Sequence, residues 1–185
     1  MNDAPETLDG FLDAAWQRLG RGAADARSPA RYPVLATVSP DGWPEARTVA
    51  LRAASRQGAT LEVHSDVAAA KVAALRADAR AALHVWDPRV RLQIRAQGAV
   101  EIVEGVAAGP RWAKVPEGSR ATYGKRPPAG EEIGGALEYE VLAERESFCA
   151  LVLHVATLDL LHLGERHRRA MYDRESGWRG RWLSP

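Results

Sequence analysis

Apolar residues recur at helical spacing near the start of the chain, at Leu8, Phe11, Leu12, Ala15, Trp16 and Leu19, before giving way to short runs separated by turn residues. The first pattern predicts an amphipathic helix, with Asp3 and Glu6 spaced as a variant capping box and Gly20 and Gly22 as a stop. Residues 32–39 are β-branched and apolar, Pro40-Asp41-Gly42-Trp43-Pro44 is a turn cluster, and residues 46–52 read as a returning strand, so a hairpin is expected. A third strand over 60–64 runs into Ser65 and Asp66, either of which can cap an alanine-rich helix over 67–77.

Two more strands are predicted over 81–86 and 90–103, separated by Asp87-Pro88-Arg89. In the second, Leu92, Ile94 and Ala96 alternate with Arg91, Gln93, Arg95 and Gln97, which gives one buried and one polar face. Residues 106–114 read as a short helix interrupted at Gly109-Pro110. Residues 118–135 are rich in Gly, Pro and charge, and form a basic loop long enough to be functional or mobile. Four strands end the chain, over 148–155, 158–163, 167–172 and 178–183. Many short strands at roughly even spacing indicate a mainly β fold: a closed or nearly closed antiparallel barrel with flanking α-helices. There is no internal repeat, and a single domain over residues 1–185 is expected.

Composition narrows the function classes. The chain is 46% hydrophobic and 26% charged with a formal net charge of +1, and has neither a basic patch for nucleic acid nor a polybasic membrane anchor. The single cysteine, Cys149, excludes an intrachain disulfide and a multi-cysteine metal site. The acidic start lacks the regions of a signal peptide, and no run approaches a membrane span, so a cytoplasmic protein with small-molecule partners is expected. Nucleophile-elbow, zincin, dinucleotide-binding and phosphate-loop motifs are missing. The histidines His64, His84, His154, His162 and His167 lack companions at metal-ligand spacing, and no metal is expected.

Only three of the 25 basic residues are lysines: Lys71, Lys114 and Lys125. Lys71 lies within the predicted second helix, whose N-terminus carries positive partial charge. It either helps to hold an anion there or faces water while Asp66 caps the helix. Arg47 shares a pleat face with Val49 and Leu51, as an edge-strand arginine or a ligand-facing one. Arg47 and Arg52 differ by five positions, so regular alternation points them to opposite faces unless a bulge, strong twist or partner subunit brings them together.

Ala46-Arg47-Thr48-Val49-Ala50-Leu51-Arg52, then His64-Ser65-Asp66 with Lys71, then Leu92-Gln93-Ile94-Arg95 with Gly98, and finally His167-Arg168-Arg169-Ala170-Met171-Tyr172 with Trp178 and Trp182-Leu183-Ser184-Pro185, follow one another in order. In that order and spacing they resemble the pyridoxamine 5'-phosphate oxidase family, nearest its oxidase-like relatives of unsettled substrate. The resemblance implies an FMN-binding antiparallel split β-barrel, assembled as a homodimer with FMN at the interface. It implies that Arg47 and Lys71 hold the FMN phosphate, with His64 and Ser65 beside the ribityl chain and phosphate. It further implies that the backbone around Val49 and Leu51 follows the flavin edge and that Arg52 adjoins the cofactor and substrate. Gln93, from the partner chain, and Arg169 would contact the flavin, and His167 and Arg126 would reach the substrate. No general acid or base is implied, since the flavin carries the chemistry.

This chain departs from the family pattern at several places. Ala69 and Ala70 stand where the family often has serine and arginine before the phosphate lysine. His162 takes the place of a tryptophan near the flavin, and Glu165 takes that of the first arginine in the segment covering the substrate ring. In the family's substrate-phosphate grip, Arg52 replaces a lysine, with Tyr123, Arg126 and Gly130 near the remaining positions. The expected function is an FMN-binding oxidoreductase acting on a small molecule other than pyridoxamine 5'-phosphate. The rival is a non-catalytic flavin- or haem-binding split barrel.

Overall fold

The computed structural model describes residues 5–185, so the predicted capping role of Asp3 lies outside the described residues. The first helix, α1 (Leu8–Ala24), is capped by Thr7, whose hydroxyl accepts a hydrogen bond from the Gly10 amide at 3.2 Å. Gly20 and Gly22 do not stop it. Gly22 serves close packing instead, since a Cβ there would stand 2.5 Å from the Ala30 carbonyl oxygen. After a 3₁₀ turn (Pro29–Arg31), β1 (Val34–Val38) and β2 (Pro44–Thr48) form the expected hairpin.

The returning strand does not reach residue 52. It breaks at Val49-Ala50, where the Val49 amide donates to the Pro33 carbonyl at 2.9 Å, and β3 (Leu51–Ser55) leaves to pair with β4 (Thr60–Asp66). The β3–β4 register shifts between Leu51 and Ala53, which makes Arg52 the extra residue of a bulge. The second helix, α2 (Ala70–Ala77), starts later than predicted, and neither Ser65 nor Asp66 caps it: its N-cap is Ala69, with no side-chain bond. Asp66 instead accepts hydrogen bonds from the Ala68 and Gly124 amides, both at 2.8 Å, and so ties the end of β4 to a distant loop.

β5 (Arg80–Asp87) and β6 (Leu92–Glu104) follow. A 3₁₀ turn (Gly105–Ala108), the one-turn helix α3 (Gly109–Trp112) and another, α4 (Glu117–Arg120), replace the helix expected over 106–114. The basic loop contains half of a small two-stranded ribbon, β7 (Lys125–Arg126) with β8 (Glu140–Val141), separate from the main sheet. The strands expected over 148–155 and 158–163 are one, β9 (Phe148–His162), followed by β10 (Arg168–Asp173) and β11 (Gly180–Leu183).

The main sheet runs β11-β10-β9-β6-β5-β1-β2, and β4 also pairs with β9 and carries β3. One edge of β9 therefore serves two strands: Phe148 to His154 face β4 and Thr157 to His162 face β10, while β6 follows the other edge. The sheet diverges at that point and does not close, which makes the fold a split barrel. The β6–β9 ladder absorbs the divergence through a shift at Gln97/Gly98, where a Cβ on Gly98 would stand 1.9 Å from the His154 carbonyl oxygen. Only glycine fits there.

Phe11, Trp16 and Leu19 of α1 pack over Leu35, Leu51, Ile94 and Leu158 in the main core, and Tyr172 anchors α1 by donating from its hydroxyl to the Leu8 carbonyl at 2.8 Å. Burying each large apolar side chain contributes roughly 1.5–3 kcal/mol against exposure. A second cluster, with Tyr123, Phe148 and Val152, lies under α3 and α4. Among the described residues no helix is long and apolar enough to cross a membrane.

Candidate functional site

β2, the end of β4 and the start of α2 converge and bring Arg47, Ser65 and Lys71 together. Arg47 and Glu45 lie two apart on β2 and so share a face. The Arg47 guanidinium donates through Nη1 to the Leu35 carbonyl at 3.3 Å and to Thr37 Oγ1 at 2.7 Å, and through Nη2 to Glu45 Oε2 at 2.5 Å. Lys71 Nζ donates to the hydroxyl of buried Ser65 at 3.2 Å. Burial, and after it the neighbouring Arg47 charge, hold the Lys71 ammonium below the usual lysine range. Two like charges kept close and half out of water are a site that an anion relieves. The adjacent Cys149 is fully buried and its thiol is pushed up to about 12, first by burial, so it is not a reactive thiolate.

On the opposite face of β4 lies a cavity of about 520 Å³. Its walls carry Arg31, Arg52, Arg111 and Lys114 against one carboxylate, Glu62, with His64 and Ser119. Arg52 reaches it because the bulge puts both Arg52 and Ala53 on the cavity side. Among the described residues its side chain makes no hydrogen bond or ion pair, and its Nε is buried without a partner. Glu62 accepts from Arg111 Nε at 2.8 Å and pairs with His64 Nε2 at 3.0 Å, while the His64 ring stands edge-on to Phe148. Burial pushes the Glu62 carboxyl up, but the His64 and Arg111 hydrogen bonds outweigh it and leave Glu62 below its ordinary range.

A third cluster lies on the outer face of the sheet. Gln93 and Arg169 flank Leu161 from either side in the ladder. Arg169 donates to buried Asp159 through Nε at 3.1 Å and Nη2 at 2.8 Å, and Arg95 Nη2 joins at 2.5 Å. Burial acts against the charge of Asp159, but the two arginines prevail and its carboxyl lies below the usual range. Beyond Arg169, a cavity of about 510 Å³ is lined by His167, Arg166, Arg168 and Trp182.

The sequence-predicted residues thus separate into three groups. Arg47, Ser65 and Lys71 meet; Arg52 and His64 meet around the cationic cavity; Gln93, Arg169 and His167 gather at β6 and β10. Val49 and Leu51 lie between the first two, with Leu51 wholly buried and its carbonyl accepting from Arg31 Nη1 at 2.8 Å. His64 points away from Ser65 because adjacent strand residues face opposite sides. Arg126 is exposed on β7 and does not line the cavity with Arg52, whereas Tyr123 is buried against Trp112 and Phe148 with its hydroxyl in reach of the Arg52 charge. Sequence reasoning missed Glu62, Arg111, Asp159 and Arg95 as partners. Asp159, an acid inside an apolar run, was the one visible signal. Among the described residues no group of three His, Cys, Asp or Glu side chains could hold a metal ion.

The fold is an open split barrel with paired cations, Arg47 and Lys71, where β4 meets α2. The cluster fits a phosphate: a guanidinium fork, an ammonium and a hydroxyl face one place. Residues 13–104 match the family model described as pyridoxamine 5'-phosphate oxidase, FMN-binding domain. The chain belongs to this pyridoxamine 5'-phosphate oxidase-like split-barrel family. Among solved structures it is similar to a pyridoxamine 5'-phosphate oxidase-related, FMN binding protein from Nostoc punctiforme PCC 73102, with a TM-score of 0.76 and 24% identity over 95% of this chain and 97% of that one. It is also similar to PhzG from Burkholderia lata 383 in complex with tetrahydrophenazine-1-carboxylic acid, with a TM-score of 0.72 and 18% identity over 100% and 95% of the two chains. General Stress Protein 26 from Bacillus anthracis shares the fold at a TM-score of 0.53 and 13% identity, over 79% and 92%. No curated protein matches the chain.

Proposed function

We propose that the chain is an FMN-dependent oxidoreductase of a small anionic molecule, working as a homodimer in the cytoplasm. The observation that carries this reading is the convergence of Arg47, Ser65 and Lys71, with a lysine already strained by burial and a like charge. Arg47 and Lys71 would neutralise the FMN phosphate, and Ser65 would supply a hydroxyl. FMN supplies hydride or electron transfer when bound. Gln93 and Arg169 lie on the outer sheet face, away from this cluster, so they would serve the cofactor of the second copy.

The substrate's anionic group would enter the cavity on β4, where Arg52 has no hydrogen-bond partner among the described residues and Lys114 stands at the wall. Glu62 would accept from a donor group of the same molecule. Arg126 lies off this cavity, and Glu165 adds negative charge beside His167, which argues against pyridoxamine 5'-phosphate as the physiological substrate.

The first test is the absorbance of the purified protein and the identity of what denaturation releases. A flavin spectrum with released FMN is expected; a haem band, or no binding of added FMN, would overturn the reading. Turnover is tested next, by following reduction with NADH or NADPH and reoxidation by air. FMN binding without either would make the chain a carrier rather than an enzyme. Pyridoxal 5'-phosphate formation at about 1 per second or faster would show the substrate argument to be wrong.

A further inference from the structure

Among the described residues, Arg47 donates hydrogen bonds to three groups, of which only Glu45 is charged. The other two, the Leu35 carbonyl and the Thr37 hydroxyl, both bind Nη1 and already orient the guanidinium. Glu45 takes Nη2, and its side chain is 36% exposed at the rim of the sheet, on the edge strand β2. A phosphate that engages Arg47 and Lys71 together either takes Nη2 from Glu45 or sits within a few ångströms of its carboxylate. Arg47 and Lys71 contribute two positive charges and Glu45 removes one, while Ala69 and Ala70 add nothing at the start of α2. Asp66, whose charge also reaches Lys71, offsets the other, so an FMN phosphate dianion would meet almost no net positive charge from these four charged residues.

We propose that Glu45 is an internal competitor for the phosphate site: its carboxylate holds Arg47 until the FMN phosphate takes its place, and it thereby sets how tightly the chain holds its cofactor. This rests on the FMN reading above. Glu45 acts on Arg47 from the solvent side, so its effect is electrostatic and is screened by salt.

The test is titration of flavin fluorescence for the parent and Glu45→Gln proteins, with FMN and with riboflavin, which lacks the phosphate. Glu45→Gln should bind FMN about two- to fivefold more tightly at low salt, the effect expected of an exposed ion pair, and the difference should shrink in high salt. Riboflavin should bind both proteins equally. Weaker FMN binding by the variant would show that Glu45 positions Arg47, and equal binding would show that it does nothing; either overturns the proposal. Equal tightening toward riboflavin overturns it as well, because the effect would not pass through the phosphate. A parent protein that binds no FMN would bring down the FMN reading and this one together, whereas a parent that binds FMN with an unimproved variant brings down only the second.

Discussion

Arg47 and Lys71 belong to different elements, and each has a neutral partner that stays when the other is removed. Replacing either with alanine should therefore weaken FMN binding by about ten- to a hundredfold, the loss of one charge-assisted contact, while riboflavin binding changes little. Flavin fluorescence titration measures both. Asp159 is a different kind of residue, buried with two arginines on one carboxylate. Asp159→Asn leaves Arg95 and Arg169 facing each other, and since these are 39% and 34% exposed the cost is discounted to about 2 kcal/mol, readable in urea unfolding. Asp159 and Glu62 both ionise below the ordinary carboxylate range in the folded chain. Such groups contribute stability that is complete above their unfolded values, about 4, and lost as pH falls through the lower folded ones. Unfolding free energy should thus drop below about pH 4, and Asp159→Asn should flatten that drop; an identical profile in the variant would contradict the assignment.

At the scale of elements, the two irregularities do the positioning. The β3 bulge turns Arg52 onto the cavity, and the shift at Gly98 lets β9 leave β4 for β10. Gly98→Ala places a Cβ against a backbone oxygen that no side-chain rotation can move, so it should cost about 3 kcal/mol or rearrange the ladder, visible as a lower melting temperature. The start of α2 offers the reverse experiment. Ala69 has extended N-cap geometry, φ −67° and ψ 140°, but no side-chain oxygen. Ala69→Ser should raise stability by about 0.5–1 kcal/mol through the missing cap, measured by the same unfolding curve.

At the scale of the whole molecule, the proposed site draws on assembly. The outer face of β1, β5 and β6 carries half-buried Val34, Ala36, Val38, Ala82 and His84 beside Gln93 and Arg95, with Trp86 exposed. An apolar face of this kind next to the proposed flavin contacts is expected to meet a second copy. Light scattering should report two chains per particle at micromolar concentration with FMN present. A monomer would separate Gln93 and Arg169 from the cofactor site.

Strand positions, the α1 face and the order of Arg47, Lys71, Gln93 and Arg169 were legible in the chain itself, because period and turn chemistry are local and the family motifs are contiguous. The single run of β9 was not, since Thr157 reads as a break until β6 is seen to pair across it. Nor was the division of the site. Whether Arg52 shares a face with His64 depends on a bulge, and a bulge is set by which strand lies alongside. Glu62 and Arg111 stood out for no local reason, and Asp159 only as an acid in an apolar run; they became partners when long-range packing closed distances that sequence separation does not encode. The residue types were therefore determined by the sequence, and their pairing into three clusters by the tertiary structure, because burial and opposing charge act through space rather than along the chain.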